Sequence, residues 1–446
     1  MTSRQAPPVA AVSALLIGLG IGLALRGVEP VATWLYVVCW YPTIALMAAV
    51  VARAEGRDPF TGHPVHALSL FAWSAVFWFF FELLNWRIAN WYYVYVPADR
   101  VSRWIGISLA FATVLPAIFL AARVQETWGI LTTVRTKPFR ITPFGLRVSA
   151  VTGVAFLALP LLWPRFFFPL VWVAAALLAE PALYRRAPRW SLLADLGRGE
   201  AGRLLRLLTG GAAIGLLWEM YNSFARSRWI YTVPGLEELK LFEMPLLGFL
   251  GFPVFALECW SVFHLLASFG ISTPEERLAA PVPYARKAAT AVLGVAFSVF
   301  VLSGMERYTI GSTTPSIAEV PGLPSYAAQK LAADGVSAFQ LAEVSASDLA
   351  RTAGGGVEEA ARWGQALRLV TLRGIGTLNA RRLAGVGVRD IATLAVQDPD
   401  SLAARLRAAP PKGTAPFRPT PAEVRVWVRA ALNATVPERR PAEGSE

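Results

Sequence analysis

The chain has 446 residues, of which 55% are hydrophobic, and its mean hydropathy is +0.47. Only 16% of the residues are charged, whereas about a quarter are charged in a typical soluble domain. These values exclude a soluble globular protein and indicate a polytopic membrane protein. The chain has neither a metal-ligand motif nor a Walker loop, so we predict no metal, no cofactor and no ATP-driven activity.

Nine apolar segments are long enough to be membrane-spanning helices, since a helix needs about 20 apolar residues to cross a bilayer. They lie at approximately residues 9–25, 33–52, 67–87, 104–122, 147–163, 166–184, 204–223, 243–269 and 286–304. The first segment follows a basic residue, as in a signal peptide, but no A-x-A cleavage site comes after it. We predict that the first segment is a retained span, because the internal repeat described below gives it a partner in the fifth segment.

The distribution of Lys and Arg predicts the orientation, because cytoplasmic loops carry the excess of positive charge. With the N-terminus inside and nine spans, the inner loops hold 17 Lys and Arg and the outer loops hold 8. We expect an integral protein of the inner (plasma) membrane with a cytoplasmic N-terminus and an extracytoplasmic C-terminal domain. One span more or fewer would reverse the side of the C-terminal domain.

An internal repeat in constant register relates the two halves of the predicted membrane domain, residues 1–305. The matching pairs are Glu82/Glu219, Asn85/Asn222, Val96/Val233, Pro97/Pro234, Arg103/Lys240 and Pro116/Pro253. We infer an all-α fold of two four-helix units, at about residues 9–123 and 147–269, with a ninth span at about 286–304. Because each unit has an even number of spans, the repeats should be parallel, related by an axis along the membrane normal.

Each predicted repeat carries a glutamate and an asparagine three residues apart, a spacing that places both on one face of a helix. An ionised carboxylate inside a bilayer is costly and faces a partner or a cavity. We therefore predict a shared intramembrane polar site between the units, with Glu180 and Glu258 deeper in their spans. Its residues are Glu82, Asn85, Glu219, Asn222, Arg226 and Glu243. The alternative is structural, because Glu and Asn also join membrane helices by hydrogen bonds.

Aromatic residues follow both glutamates, in NWYYVYVP (90–97) and RWIYTVP (228–234). We interpret them as an interfacial aromatic belt. The W-x-Y of Trp229 and Tyr231, with FEMPLLGF (242–249), resembles the membrane-bound lycopene cyclase domain. Members of that family have repeated helix units and acidic residues near W-x-Y and Pro-x-Glu-Glu motifs, although the order here is Glu243-Met244-Pro245. The resemblance implies a membrane enzyme that acts on an apolar, isoprenoid-like substrate by glutamate acid catalysis.

The hydrophilic tail contains two similar segments, 320–344 and 372–396, in which Gly322 matches Gly374. The second begins LRGIGTLNARRL (372–383), which resembles the helix-hairpin-helix family. We predict a linker at 306–319, a small soluble tandem helix-hairpin-helix domain at 320–408 and a Pro-rich segment at 409–446. That last segment should contain a short helix from about Pro421 to Asn433 and a disordered end.

The helix-hairpin-helix resemblance implies a phosphate contact at the Gly-Ile-Gly turn, where helix N-terminal amides and nearby arginines would face the anion. The residues concerned are Gly374, Gly376, Arg373, Arg381 and Arg382. The first copy has Pro324 in place of the second glycine and should bind phosphate poorly. The tail holds 17 Lys and Arg against 14 Asp and Glu, a weak balance for a nucleic-acid binder. A protein partner and a nucleic acid therefore both stay open.

The sequence favours an integral membrane binding or transport module with a paired-glutamate site and a tail that recruits a partner. Its expected partners are the lipid bilayer, an apolar small molecule or a proton-coupled substrate, and a protein or nucleic acid bound by the tail. Two alternatives are a membrane enzyme for an apolar substrate and a membrane tether for nucleic acid. We assign no catalytic residue from the sequence.

Overall fold

The hydrocarbon core of a bilayer contains no water that could form hydrogen bonds with backbone N–H and C=O groups. A membrane-crossing segment must therefore form these hydrogen bonds within itself, as a helix does. The computed structural model describes residues 1–233, 239–275, 283–333, 335–408 and 419–435. Among these residues, eight helices are long and apolar enough to cross a membrane, judged by length and composition. They are Ala6–Leu25, Val31–Glu55, Pro64–Ile88, Arg100–Thr127, Pro143–Leu162, Pro164–Arg186, Leu246–Ser268 and Tyr284–Tyr308. The prediction of an all-α membrane protein is therefore confirmed as far as the helical content and these eight apolar helices show it.

The elements from the N-terminus to Tyr308 alternate long helices with short connecting pieces. The helices are α1 (Ala6–Leu25), α2 (Val31–Glu55), α3 (Pro64–Ile88), α4 (Arg100–Ala112), α5 (Val114–Thr127), α6 (Pro143–Leu162), α7 (Pro164–Phe167), α8 (Val171–Arg186), α9 (Leu192–Gly197), α10 (Gly202–Phe224), α11 (Gly251–Ser268) and α12 (Tyr284–Tyr308). The strands are β1 (Trp91–Val94), β2 (Arg228–Tyr231), β3 (Lys240–Leu241) and β4 (Met244–Pro245).

Helix α10, predicted as the seventh span, has 23 residues but is not among the eight apolar helices. It packs against α2, α5 and α11, so protein covers much of its surface. Its glycines allow this close packing: a Cβ on Gly211 would lie 2.8 Å from the Phe252 carbonyl oxygen of α11. A helix covered by protein needs fewer apolar side chains than one that faces lipid, which explains its weaker hydropathy.

The predicted span at 243–269 begins later than expected. Residues 240–245 form the β3–β4 hairpin, Leu246–Leu250 form a 3₁₀ turn, and α11 starts at Gly251. Pro253 therefore lies in the first turn of α11, where its missing N–H removes no helical hydrogen bond.

The chain divides into two compact units. The first comprises Met1–Asn90, Trp104–Ala225 and Val233–Met305, and the second comprises Trp91–Arg103, Arg226–Thr232 and the chain from Glu306 onward. In the second unit, β1 and β2 pair antiparallel, with Trp91 opposite Tyr231 and Val94 opposite Arg228. The Tyr93 N–H also donates to the Thr309 carbonyl at 2.7 Å.

The interpretation of the aromatic segments as an interfacial belt is wrong for β1 and for Tyr95 and Val96 directly after it, which we call the extension of β1. Tyr92 and Tyr95 are each only 2% exposed and pack with Val94 and Ile230 in a small core of the second unit. The run of aromatic and β-branched residues forms a buried strand, a structure that the same composition also favours.

The tail of the second unit is a set of short helices around one hydrophobic core that contains Trp363 and Trp427. The helices are α13 (Ser325–Ala332), α14 (Ala338–Ala342), α15 (Ala346–Ala353), α16 (Val357–Thr371), α17 (Gly376–Gly385), α18 (Ile391–Ala395), α19 (Pro399–Ala408) and α20 (Pro421–Thr435). Helix α20 coincides with the short helix predicted from about Pro421 to Asn433. The Pro-rich stretch 409–418 and the end predicted to be disordered, 436–446, lie outside the described residues.

Replacing Gly211 by Ala tests the close packing of α10 and α11. The new Cβ would meet the Ala256 Cβ at 2.7 Å as well as the Phe252 carbonyl. We expect a loss of about 1–3 kcal/mol in the free energy of unfolding. Gly22→Ala in α1 is the matched control: no atom lies within 4 Å of its Cβ position, so it should gain helix propensity. Thermal unfolding in detergent measures both, and equal stabilisation by the two substitutions would contradict the packing.

The stability of α20 should depend on pH through Glu423, which is 3% exposed. Burial raises the pKa of Glu423 to about 8, although the Thr420 N–H and the charge of Arg382 oppose that rise. Between about pH 4.5 and 8 the folded state therefore binds one proton more than the unfolded state. The free energy of unfolding should fall by about 1.4 kcal/mol per pH unit across that window.

Glu423→Gln removes the titration and keeps an acceptor for the Thr420 N–H, which lies 2.9 Å from Glu423 Oε2. Hydrogen exchange of the peptide covering α20 in the full-length protein, at pH 6 and pH 8.5, measures the difference. We expect faster exchange at pH 8.5, after correction for intrinsic rates, in the native protein alone. The same pH response in the variant would contradict this origin.

Candidate functional site

Glu82 lies in the last two turns of α3 and is fully buried, at 0% exposure. Its Oε1 accepts a hydrogen bond from the indole Nε1 of Trp78 at 3.2 Å, one turn earlier on the same helix. A carboxylate in this position has been removed from both water and lipid. The first member of the predicted pair is therefore an interior residue of the helical bundle.

Asn85, predicted to share the face of Glu82, ends the helix. Its Oδ1 accepts the Asn90 N–H at 2.9 Å, while the Ala89 N–H donates to the Asn85 carbonyl at 2.8 Å. Ala89 adopts the left-handed conformation at φ +52° that commonly closes a helix. Asn85 thus turns the chain from α3 into β1, which is a structural role.

Glu219 and Asn222 occupy the corresponding part of α10, and both are 0% exposed. The neighbouring Trp218 packs its ring against Trp78 of α3, at a centroid distance of 4.9 Å, and against Tyr36 of α2 at 6.3 Å. The residues that flank the two glutamates are therefore in contact, although they come from helices far apart in sequence.

Glu258 on α11 is a third fully buried carboxylate, at 0% exposure. Its Oε1 accepts the Ala175 N–H of α8 at 2.7 Å. Sequence reasoning placed Glu258 deeper in its span and left it out of the site. Its position in an apolar run was the signal that could have included it.

One group of aromatic side chains connects the helices that carry these three glutamates. We call it the aromatic cluster, and its members are Phe77, Trp78, Phe81, Trp172, Trp218 and Phe255. Phe81 stacks on Trp172 at 5.1 Å, and Phe255 of α11 lies 5.3 Å from Phe81. Glu82, Glu219 and Glu258 therefore lie on helices that meet at a single aromatic core.

Glu180, in contrast, is held by a complete set of donors. Its Oε1 accepts from the Ser261 hydroxyl at 2.7 Å, and its Oε2 accepts from the Ser191 hydroxyl at 2.8 Å and the Leu193 N–H at 3.1 Å. These bonds join α8, α9 and α11, so Glu180 is a structural carboxylate.

The structure does not place Arg226 on the face of Glu219. Arg226 was predicted to share that face because it follows Glu219 by seven residues, or two helical turns. Helix α10 ends at Phe224 and Ala225 is extended, so this spacing does not apply to Arg226. The Arg226 guanidinium instead lies 4.2 Å from the ring centroid of Phe339, within the second unit. Glu243 is buried, at 3% exposure, in the turn between β3 and β4.

The Gly-Ile-Gly turn of the tail is already occupied by other parts of the second unit. Gly374 and Gly376 have positive φ angles, as the tight turn requires. The Gly374 N–H donates to the Tyr95 hydroxyl at 2.8 Å, and a Cβ on Gly374 would lie 2.5 Å from Val94. Asn379 donates to the Gly311 carbonyl at 2.9 Å. This turn therefore packs on the extension of β1, where a phosphate would meet Tyr95.

The arginines near this turn have local partners. Arg381 pairs with Glu319 at 3.2 Å, and Arg382 donates to the Asn379 side chain at 3.1 Å. Arg373 precedes the turn with φ +27°. Arg381 and Arg382, two of the residues predicted to face a phosphate, are therefore engaged within the tail itself.

No family model, curated protein or solved structure matches the chain. The functional assignment therefore rests on the chemistry of the buried residues.

Tyr95→Phe tests the docking of the Gly-Ile-Gly turn. Burial raises the pKa of Tyr95, so its hydroxyl stays protonated while it accepts from Gly374. Its removal leaves a buried N–H unsatisfied, which costs about 1–3 kcal/mol. We expect faster hydrogen exchange in the peptide around residues 370–376 of the full-length protein.

Tyr326→Phe is the matched control, because Tyr326 is a half-exposed tyrosine on α13 of the same unit. It should leave exchange around residue 374 unchanged. Equal exchange in the native protein and Tyr95→Phe would show that the hydroxyl does not hold the turn.

Proposed function

We propose that the protein is a membrane binding or transport module whose polar site is centred on Glu82 and Glu219. The observation that carries this proposal is the complete burial of these two carboxylates, and of Glu258, in helices that meet at the aromatic cluster. Ionisable groups inside a bilayer are expensive and typically mark substrate or proton pathways. The aromatic cluster supplies an apolar environment suited to an apolar or proton-coupled substrate.

The pairing of β1 with β2 supports the proposed twofold repeat. Strand β1 lies at residues 91–94 and β2 at 228–231, in the same register as Glu82 and Glu219, and each follows a glutamate-bearing helix. The ladder pairs Trp91 with Tyr231 and Val94 with Arg228. In the repeat register, Trp91 corresponds to Arg228 and Val94 corresponds to Tyr231. Exchanging the two repeats therefore turns the first pair into the second. A ladder with this property is what a twofold axis between parallel repeats requires. Pro234, the proposed match of Pro97, lies outside the described residues.

The same pairing supports a membrane crossing by α10. Between α3 and α10 the chain contains three apolar spans, Arg100–Thr127, Pro143–Leu162 and Pro164–Arg186. Strands β1 and β2 follow α3 and α10 within a few residues and pair directly, so both helices must end on one side of the membrane. An even number of crossings must separate these ends, and α10 supplies the fourth.

This parity agrees with nine spans and with the orientation inferred from the Lys and Arg distribution. Thr309, directly after α12, is bonded to Tyr93 of β1, so α12 ends on that side as well. We propose an inner-membrane protein with a cytoplasmic N-terminus and an extracytoplasmic tail. An extracytoplasmic tail would meet other proteins of that compartment, which favours a role in recruiting a protein partner.

The aromatic cluster also supports the rival proposal of an enzyme for an apolar, isoprenoid-like substrate. Aromatic faces attract a developing cation, and a nearby glutamic acid could protonate a double bond. In that case organic-extractable material, converted by the native protein, should co-purify with it.

Glu82→Gln and Glu219→Gln test the proposed site. Glutamine keeps an oxygen for the Trp78 indole but cannot release a proton, so the fold should persist while proton coupling is lost. Proteoliposomes that contain a pH-sensitive dye would be given a proton gradient and a panel of apolar and amphiphilic compounds. We expect compound-dependent proton flux in the native protein, and a loss of roughly tenfold or more in each variant.

Glu180→Gln serves as the control, because Glu180 is buried and hydrogen-bonded but structural. It should lower the melting temperature and leave flux intact. If Glu82→Gln and Glu219→Gln change the melting temperature alone, the glutamates are structural. If the native protein chemically converts a compound of the panel and shows no proton flux, the enzyme proposal is supported instead.

A further inference from the structure

A cavity of about 770 Å³ lies in the first unit, at the end of the bundle where α3 and α10 begin. His66 and Leu70 of α3 and Leu207 of α10 line it. Glu82 and Glu219 lie near the opposite ends of these two helices. The volume is within the range of small-molecule sites, about 300–1,000 Å³. The cavity is therefore separate from the proposed glutamate site.

The charged side chains of the cavity wall neutralise one another. Among the described lining residues, four are arginines and four are acids. Each arginine is paired with one of these acids at an N–O distance between 2.6 and 3.3 Å: Arg123–Glu275, Arg135–Glu200, Arg203–Asp195 and Arg206–Glu126. An ion that entered the cavity would lose its water and find no unpaired counter-charge on the described wall, which is costly. The wall therefore favours an uncharged ligand.

Two buried histidines of the wall are hydrogen-bond acceptors. His66 Nδ1 lies 2.9 Å from the Thr273 carbonyl oxygen, and His264 Nδ1 lies 2.9 Å from the Trp260 carbonyl oxygen. A carbonyl only accepts, so both Nδ1 atoms carry the hydrogen and both Nε2 atoms accept. His66 is 8% exposed and His264 is 6% exposed. Each ring is therefore held by its Nδ1 edge, and its Nε2 edge remains for a ligand.

Both Nε2 atoms are open to the cavity. In the described part of the chain no donor reaches either atom, and neither atom is sealed inside protein. Because both rings line the cavity, a molecule inside it can donate to them. The third histidine, His63, also lines the cavity, but it is exposed and water can solvate it. The buried histidines therefore favour a ligand with hydrogen-bond donors.

The rest of the wall is largely apolar. Its apolar residues include Leu70, Pro116, Phe119, Leu120, Leu207 and Trp260. The Trp260 ring lies 3.9 Å from the His264 ring, so apolar surface adjoins one of the acceptors directly. A ligand that fills this space needs an apolar body beside its donors.

We propose that this cavity binds an uncharged amphiphile with a hydroxyl-bearing head. The hydroxyl groups donate to Nε2 of His66 and of His264, and the hydrocarbon body lies along Phe119, Leu120 and Leu207. This assignment goes beyond the glutamate site and does not depend on transport. The same chemistry is offered by a neutral glycerolipid of the membrane and by a free long-chain alcohol.

The test uses the full-length protein in phosphatidylcholine nanodiscs and a 1,2-dodecanediol that carries a photoactivatable diazirine on its chain. We expect saturable labelling of peptides that contain residues 116–126 and 260–264. Unlabelled 1,2-dodecanediol should compete. The matched compound 1,2-dimethoxydodecane keeps both oxygens but has no hydrogen to donate, so it should compete at least tenfold more weakly, as should dodecyl phosphate and dodecyltrimethylammonium.

Three results would overturn the proposal. Equal competition by 1,2-dimethoxydodecane would show that the acceptors are not used. Equal competition by either ion would show that the wall does not favour an uncharged head. Labelling that does not saturate, or that is confined to lipid-facing peptides, would show that the cavity holds water alone. These results come from the native protein and do not depend on the folding of a variant.

Variants test the two acceptors. His264→Phe keeps a ring beside Trp260 and removes Nε2, and His66→Asn keeps a donor for the Thr273 carbonyl and removes Nε2. Each should weaken binding roughly threefold to tenfold, the usual effect of one neutral hydrogen bond. His63→Asn is the matched control on the same wall and should bind as the native protein does. Native affinity in both His264→Phe and His66→Asn would refute the site.

Two further competitors identify the source of the hydroxyl groups. Dioleoylglycerol in the nanodisc that displaces the probe would identify a membrane lipid as the ligand. Displacement by free diol alone would identify a soluble amphiphile, and both results support the proposal. Glycerol that competes as strongly as 1,2-dodecanediol would overturn it, because the apolar wall would then contribute nothing.

Discussion

The antiparallel pairing of β1 with β2 is the constraint on which the second unit depends. Each strand follows a glutamate-bearing helix within a few residues, so four ladder pairs join two segments that are far apart in the chain. Asn85 makes the first connection possible, because its side chain caps α3 and directs the chain into β1. The extension of β1 also supplies Tyr95, which holds the Gly-Ile-Gly turn of the tail. One short ribbon therefore organises the second unit, from the segments that follow α3 and α10 to the Gly-Ile-Gly turn of the tail.

The spans were the most predictable part of the fold, because the length and composition of a lipid-exposed helix follow from the thickness of the bilayer. Helix α10 is not among the eight apolar helices, and its close contacts at Gly211 are with protein. The β1–β2 ribbon could not be predicted locally. Its strands, at 91–94 and 228–231, are far apart in the chain, and the aromatic residues that favour a strand also favour a membrane interface.

The candidate site was predictable where it depended on composition and unpredictable where it depended on the ends of elements. Buried Glu82 and Glu219 follow from carboxylates in apolar runs. Arg226 was assigned by helical spacing, but α10 ends two residues before it. A cavity of the first unit that is lined by His63, His66 and His264 had no sequence signal, because its lining comes from separate segments between Pro59 and Glu275 that only the fold brings together.

Glu180 shows what a structural carboxylate looks like in this fold. It receives three donors from Ser191, Leu193 and Ser261, so its bonds replace the water it lost and join three helices. Glu82 and Glu219 are just as fully removed from water, but they lie on helices that meet at the aromatic cluster, and Glu82 accepts a hydrogen bond from the indole of Trp78. The bundle therefore contains a carboxylate whose role is to join helices, and any further role of Glu82 and Glu219 can be measured against it.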